Sequence, residues 1–253
     1  MNSPIGWIGG KRALRKEILS HFPQSGVNRY IEVFFGAGWV FFGREKAPGQ
    51  LEVINDRDGQ IVNLFRCIKY HRAALQDELE WLVSAREIFF DAISQLRSDG
   101  LTDIQRAARF FYLLKTSFGC DGKTFATASK SCAKATEYLT QVQKRLQGVV
   151  IENRDFEAIL RTYDRPDALF YLDPPYLGTE KYYTGMFCWE DHLRLAACLK
   201  AIKGRFVLSY NDDKQIRDLY DSWCTIYPVQ RREVLSGNGH NQDIFKEIII
   251  KNF

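Results

Sequence analysis

At 253 residues, with 45% hydrophobic and 26% charged residues, the chain has room for one large globular domain, or one domain carrying an inserted module. No apolar run approaches the roughly 18–20 residues of a membrane span. The start, Met1-Asn2-Ser3-Pro4-Ile5-Gly6, has neither the charged nor the apolar region of a signal peptide, so a cytoplasmic protein is expected. The net charge of +4 is mild, and the six cysteines include no C-x-x-C pair and no Cys/His spacing suited to zinc; free thiols and no metal are expected.

The first helical pattern covers 12–21. An apolar stretch at 29–35 reads as a strand ending in Gly36-Ala37-Gly38, and Leu51–Asn55 as a second strand ending at Asp56. A short helix at 60–66 follows. From 68 to 147 the rhythm changes: helical periodicity recurs at 73–84, 87–97, Asp103–Thr116 and 135–146, and no convincing strand interrupts it. Within this block, the Gly-, Ser-, Thr- and Lys-rich stretch 116–132 reads as a loop. Strand patterns resume at 148–153, Ala168–Leu172 and 206–210, separated by helical patterns at 157–161 and 192–202. A helix at Lys214–Tyr220 precedes two more strands, 223–231 and 244–252, joined by Ser236-Gly237-Asn238-Gly239-His240-Asn241.

Strands alternating with helices predict an α/β fold, a Rossmann-like, mostly parallel sheet with a C-terminal antiparallel hairpin at its edge. The helical block reads as an insertion, dividing the chain into 1–67 with 148–253, and 68–147. From Leu101 to Val150, eight Lys/Arg stand against three Asp/Glu, which makes the insert a candidate for contacting a polyanion; a solvated helical surface is the alternative.

Chemistry-bearing residues cluster at the predicted strand ends. Ala168–Leu172 runs straight into Asp173-Pro174-Pro175-Tyr176, where two prolines stop the ladder and leave a rigid turn with one carboxylate and one aromatic face. That pair suits a planar substrate bearing an amino group. The strand leading into Gly36 and Gly38 permits close approach of backbone to a nucleotide-like ligand, although Phe41 replaces the third glycine of a dinucleotide fingerprint and no Walker lysine follows. Asp56, about twenty residues beyond Gly36, stands where an acidic residue commonly accepts from a ribose hydroxyl, or else caps the next helix. Asp155 could accept from the exocyclic amine of an adenine with Phe156 beside the ring, and also cap a helix at 156–160. Trp7-Ile8-Gly9-Gly10-Lys11-Arg12 can bring a cation close to a carboxylate.

These segments, in this order, resemble the Dam-type (alpha-group) family of DNA adenine-N6 methyltransferases. The family's W-x-G-G-K opening is matched by Trp7 to Lys11. Its E-P-F-x-G-x-G motif is matched by Glu32 to Gly38, with Val33 in place of proline. Its N-D pair corresponds to Asn55-Asp56, its D-F pair to Asp155-Phe156, and its D-P-P-Y to Asp173 through Tyr176. The stretch Lys246-Glu247-Ile248-Ile249-Ile250-Lys251-Asn252 looks like its closing strand. The resemblance implies transfer of a methyl group from S-adenosylmethionine to N6 of an adenine flipped out of double-stranded DNA, by a protein with no membrane segment that is a monomer in solution and of the kind found in restriction-modification systems. It implies a catalytic domain at 1–67 and 148–253 and a target-recognition insert at 68–147. Trp7, Lys11, Glu32, Gly36, Gly38, Asp56, Asp155 and Phe156 would line the cofactor pocket, and Asp173, Pro174, Pro175 and Tyr176 would hold the target base. Lys115, Lys123, Lys130, Arg231 and Arg232 are candidates for DNA phosphates. The family's asparagine-rich segment after the third insert helix is not matched by 118–127, so no recognition sequence carries over. An RNA adenine-N6 methyltransferase, or a catalytically silent nucleic-acid-binding protein of this fold, fits the same motifs. A nicotinamide-dependent oxidoreductase is disfavoured by the missing third glycine and by the D-P-P-Y turn.

Overall fold

The computed structural model describes residues 1–127, 133–178, 187–232 and 244–253. Its centre is a seven-stranded sheet: β1 (Arg29–Glu32), β2 (Leu51–Asn55), β3 (Val150–Glu152), β4 (Ala168–Leu172), β5 (Arg205–Asn211), β6 (Thr225–Arg232) and β7 (Ile244–Lys251), in spatial order β3-β2-β1-β4-β5-β7-β6. The first five strands pair in parallel, and β7 lies antiparallel to both β5 and β6. The C-terminal hairpin therefore does more than add an antiparallel edge. Its second strand is inserted beside β5, and its first becomes the edge.

Strands buried on both faces read as continuous apolar runs, as β4 does. Ala168, Phe170 and Leu172 of β4 join Phe206, Leu208 and Ile248 on one face, under α8 (Phe156–Tyr163), α9 (Trp189–Ala201) and α10 (Lys214–Tyr220). Leu169 and Tyr171 join Tyr30, Ile54 and Val207 on the other. That second face is covered by α1 (Arg15–Ser20), α2 (Trp39–Gly43) and α3 (Gly59–Tyr70), and its core continues into the helical block α4 (Arg72–Glu80), α5 (Arg86–Leu96), α6 (Asp103–Thr116) and α7 (Ala133–Arg145). Tertiary contact between α3 and both α6 and α7 seats the block on the sheet.

A buried ion-pair cluster adds a second tie. Glu52 of β2 receives Arg145 of α7 through both oxygens, at 2.6 and 2.7 Å, and Arg44 at 2.9 Å. Removing one partner of such a buried set leaves a stranded charge, which costs roughly 3–5 kcal/mol.

The first part of the loop after α6 is held by a set of local hydrogen bonds. Asp121 accepts from the backbone N–H groups of Lys123 and Thr124, Ser117 Oγ accepts from Gly122, and Ser117 bridges to Phe125. Side-chain oxygens that bind nearby backbone N–H groups fix turns this way.

Candidate active site at the carboxyl ends of the strands

Between β1 and β4 the strand order reverses direction, and in open α/β sheets ligands bind outside the carboxyl ends of the strands at such a point. A cavity of about 310 Å³ opens there. It is lined by all eight residues expected at the cofactor pocket, Trp7, Lys11, Glu32, Gly36, Gly38, Asp56, Asp155 and Phe156, together with Asp173 and Pro175. Pro174 is buried and Tyr176 half-buried; neither is part of the lining.

The floor comes from the ends of β1 and β2. Ladder bonds continue past β1 through Val33 N–H to Tyr171 and Phe35 N–H to Asn55, which is why the sequence reads as strand through 35. The chain then turns sharply. Gly38 adopts φ +67°, and a Cβ there would lie 2.3 Å from the Phe35 ring. Glycine alone fits both demands. At Gly36, φ +48°, the backbone N–H points to Asp56 Oδ2 at 2.7 Å. Asp56 Oδ1 accepts from Asp58 N–H at 2.8 Å, while Asp58 itself caps α3. Burial pushes the Asp56 carboxyl up to about 6, against the pull of those N–H groups. The expected alternative role of helix cap thus falls to Asp58.

Asp155 caps α8 through Glu157 N–H and is gripped by Arg194 of α9 through both oxygens, at 2.7 and 3.0 Å. The guanidinium holds the Asp155 carboxyl below its ordinary value. Arg194 also bonds Asp191, at 2.8 Å, and its guanidinium carbon sits 4.1 Å from the Phe156 ring centre. Phe34, Phe156 and Phe187 form an aromatic trio with centroids 5.9–6.0 Å apart at this end. Phe34, from the Glu32–Gly38 motif, lines the cavity, as do Arg194, Asp191 and Phe187, which no motif segment marks. The Asp191/Arg194 spacing of three on a helix was the available signal.

At the opposite end, Lys11 Nζ lies 2.9 Å from Asp173 Oδ1 and 3.9 Å from Glu247 Oε2, and 4.6 Å from the Tyr176 ring centre. Tyr176 donates its hydroxyl to Glu247 at 2.5 Å. Burial, then the charges of Asp173 and Glu247, raise the Tyr176 hydroxyl well above its ordinary value, so it stays protonated. Glu32 is buried and accepts from the Tyr30 hydroxyl at 2.7 Å. Burial pushes its carboxyl up to about 8.

The DNA-contact candidates lie elsewhere. Lys115 sits on α6 with its ammonium 5.4 Å from the Phe111 ring centre, and Lys123 is exposed in the Asp121 turn. Arg231 and Arg232 end β6 opposite Phe245 and Ile244; their side chains, and Lys130, lie outside the described residues. Among the described residues no cluster of His, Cys, Asp and Glu could hold a metal ion, and no helix is long and apolar enough to cross a membrane.

A parallel sheet with an inserted antiparallel seventh strand, opening at its switch point onto a glycine turn and a D-P-P-Y turn, defines a Rossmann-like methyltransferase fold. Residues 7–235 match the D12 class N6 adenine-specific DNA methyltransferases, and the chain belongs to that family. It is similar to the type II methyltransferase M1.LlaDCHI of Lactococcus lactis subsp. cremoris, 27% identical over 98% of this chain and 94% of the relative. It is similar also to the type II methyltransferase M.CviBI of Paramecium bursaria Chlorella virus NC1A, 26% identical over the full length of both. A DNA adenine methylase of Vibrio cholerae is 25% identical over 97% of this chain and 94% of its own. The enzyme is an adenine-specific DNA methyltransferase, and the RNA-directed and catalytically silent readings give way to this one.

Proposed function

We propose that the methyl donor is S-adenosylmethionine, held in the cavity between the glycine turn and Arg194. One observation carries this reading. A single cavity joins a backbone N–H and carboxylate floor (Gly36, Asp56), an aromatic trio, and the Asp173 turn, and carboxylates outnumber cations along its wall. Its volume falls within the range of small-molecule sites, about 300–1,000 Å³, and an acidic lining suits a cationic donor. Asp56 would accept from ribose hydroxyls, Asp155 from the adenine amine of the donor, and Phe156 would pack on its ring. Trp7 and Glu32 would close the floor, and Lys11 would offer a cation to a carboxylate. When bound, S-adenosylmethionine supplies an electrophilic methyl group on a sulfonium.

The chain's own residues then act on the target adenine. Its N6 lone pair is delocalised into the ring, which makes it a poor nucleophile. The Asp173 carboxylate and the Pro174 carbonyl would accept the two N–H bonds, with Pro175 stiffening the turn. That pair of acceptors favours a tetrahedral nitrogen and grows more favourable as positive charge develops there. An entering amine competes with Lys11 for Asp173. The base must leave the stack to reach this turn, and Tyr176 would stack on it, worth roughly 1–3 kcal/mol. The block 68–147 would serve as the target-recognition insert on a catalytic domain of 1–67 and 148–253. Lys115, Lys123, Lys130, Arg231 and Arg232 would neutralise phosphates. The protein would work in the cytoplasm as a monomer, and its relatives' names favour a restriction-modification setting.

Calorimetric titration of S-adenosylmethionine, paired with methyl transfer to duplex DNA, tests the reading. Saturable binding by wild type that Asp56→Ala weakens supports it. Transfer with no measurable binding of S-adenosylmethionine would overturn it. Methylation-sensitive sequencing of DNA from expressing cells would then give the recognised site.

A further inference from the structure

Glu247 belongs to none of the motif segments assigned to donor or base, yet it is a carboxylate only 3% exposed beneath the D-P-P-Y turn. It lies on β7, in register with Asn211 of β5 and Val229 of β6, on the strand inserted into the sheet. Its Oε2 receives the Tyr176 hydroxyl at 2.5 Å, the short length of a charge-assisted O–H···O bond. The same oxygen stands 3.9 Å from Lys11 Nζ, which pairs with Asp173 at 2.9 Å. Only a compelling reason keeps a carboxylate buried at such a place, because desolvating it is costly unless its partners hold firm.

We infer that Glu247 is a positioning residue for the target base, fixing the plane of the Tyr176 ring through its hydroxyl. The inference rests on the proposed stacking role of Tyr176. A tyrosine ring has two torsions, and one hydrogen bond at its far end removes most of the remaining swing. The Tyr176 ring lies 6.1 Å from that of Tyr210, whose hydroxyl bonds buried His192 at 2.6 Å, so a second fixed ring backs the first. Strand β7, remote in sequence from the D-P-P-Y turn, thereby sets the angle at which the base is received. A ring held in one plane costs less to order when the base arrives. A loose ring slows turnover while leaving donor binding alone.

The test uses the enzyme on two duplexes of the sequence it methylates: one with 2-aminopurine in place of the target adenine reads base extrusion by fluorescence, the other with adenine there reads turnover by methyl transfer, and calorimetry reads donor affinity. Tyr176→Phe keeps the ring and removes the hydroxyl. Glu247→Ala removes the acceptor, and Glu247→Gln keeps an acceptor without charge. Tyr176→Phe and Glu247→Ala are each expected to lower kcat about tenfold, the scale of one lost hydrogen bond to a charged group. Donor affinity should stay within about twofold, a margin too small to signal a lost contact. The double variant should be no worse than the poorer single one, and Glu247→Gln should recover most of the loss. Multiplying losses in the double variant, or a Glu247→Gln no better than Glu247→Ala, would overturn the inference. If Glu247→Ala does not fold, Tyr176→Phe decides alone, because full turnover and full extrusion signal in that variant overturn it. Tyr176→Ala separates the two layers: full activity there defeats the stacking role itself, whereas impairment there with an intact Tyr176→Phe defeats only the anchor.

Discussion

The Arg194 end and the floor of the cavity hold their carboxylates in opposite ways. At the Arg194 end, Asp155 is gripped by a guanidinium through both oxygens and its charge is locked in place. At the strand-end floor, Asp56 and Glu32 are buried against backbone N–H groups and a phenol, and their protons are held more tightly than usual. At the Asp173 end the carboxylate pairs with the ammonium of Lys11. A rigid, permanently charged wall suits a ligand that is only held. A carboxylate that can exchange one partner for another suits a group that must receive a reacting amine.

Asp173→Ala is the hardest blow to this contrast: methyl transfer should fall by at least about 10²–10³-fold, with donor affinity changed little, as measured by single-turnover kinetics and calorimetry. An equal loss of donor affinity would erase the distinction between the ends. Next, Asp56→Ala should weaken S-adenosylmethionine binding roughly 10–100-fold, the value of charge-assisted hydrogen bonds lost. The wild-type affinity should itself fall as pH drops through about 6, where Asp56 takes up a proton, and Asp56→Asn should flatten that profile. A flat wild-type profile between pH 7.5 and 5 would count against Asp56 as the acceptor.

Glu32 sharpens the comparison through stability. Its folded-state value near 8 lies above the ordinary carboxyl value, so the folded protein binds the extra proton between the two. That stabilisation is complete at acid pH and is lost as pH rises toward 8. Thermal melts should therefore show the wild type losing ground to Glu32→Gln between pH 5 and 8.5. The smallest effect belongs to the insert. Lys123→Ala should leave turnover at saturating DNA unchanged and reduce the salt slope of DNA binding by about one unit.

The strand ends were legible in the sequence because each motif is short and local. A run such as Ala168–Leu172 stopped by Pro174 and Pro175 can be only one kind of turn, and Gly36 and Gly38 follow from the crowding around Phe35 and Trp7. Arg194 was not legible, because its meaning comes from α9 crossing to Asp155 on another element. The helix α2 was also missed. It is five residues long, begins at a left-handed Gly38, and has no side-chain cap to announce it. The order of the last two strands depends on which of two apolar runs pairs with β5, and either pattern would serve until the register is seen. In the insert the four helices were visible by their period. Their proposed contacts with DNA were not, because those depend on side chains that no packing rule dictates.

The place of β7 between β5 and β6 imposes an order on how the enzyme is made. β6 leaves the ribosome earlier, yet it has no partner in the sheet until the later strand fills the gap. Both strands are therefore seated through β7, which pairs with β5 on one side and with β6 on the other. A chain interrupted before Glu247 would carry an intact D-P-P-Y turn and an assembled donor floor, but its newly made sheet would end at an unpaired β5. The strand that completes the sheet is thus also the one that carries the partner of the Tyr176 hydroxyl, so sheet closure and the fixing of that ring depend on a single element.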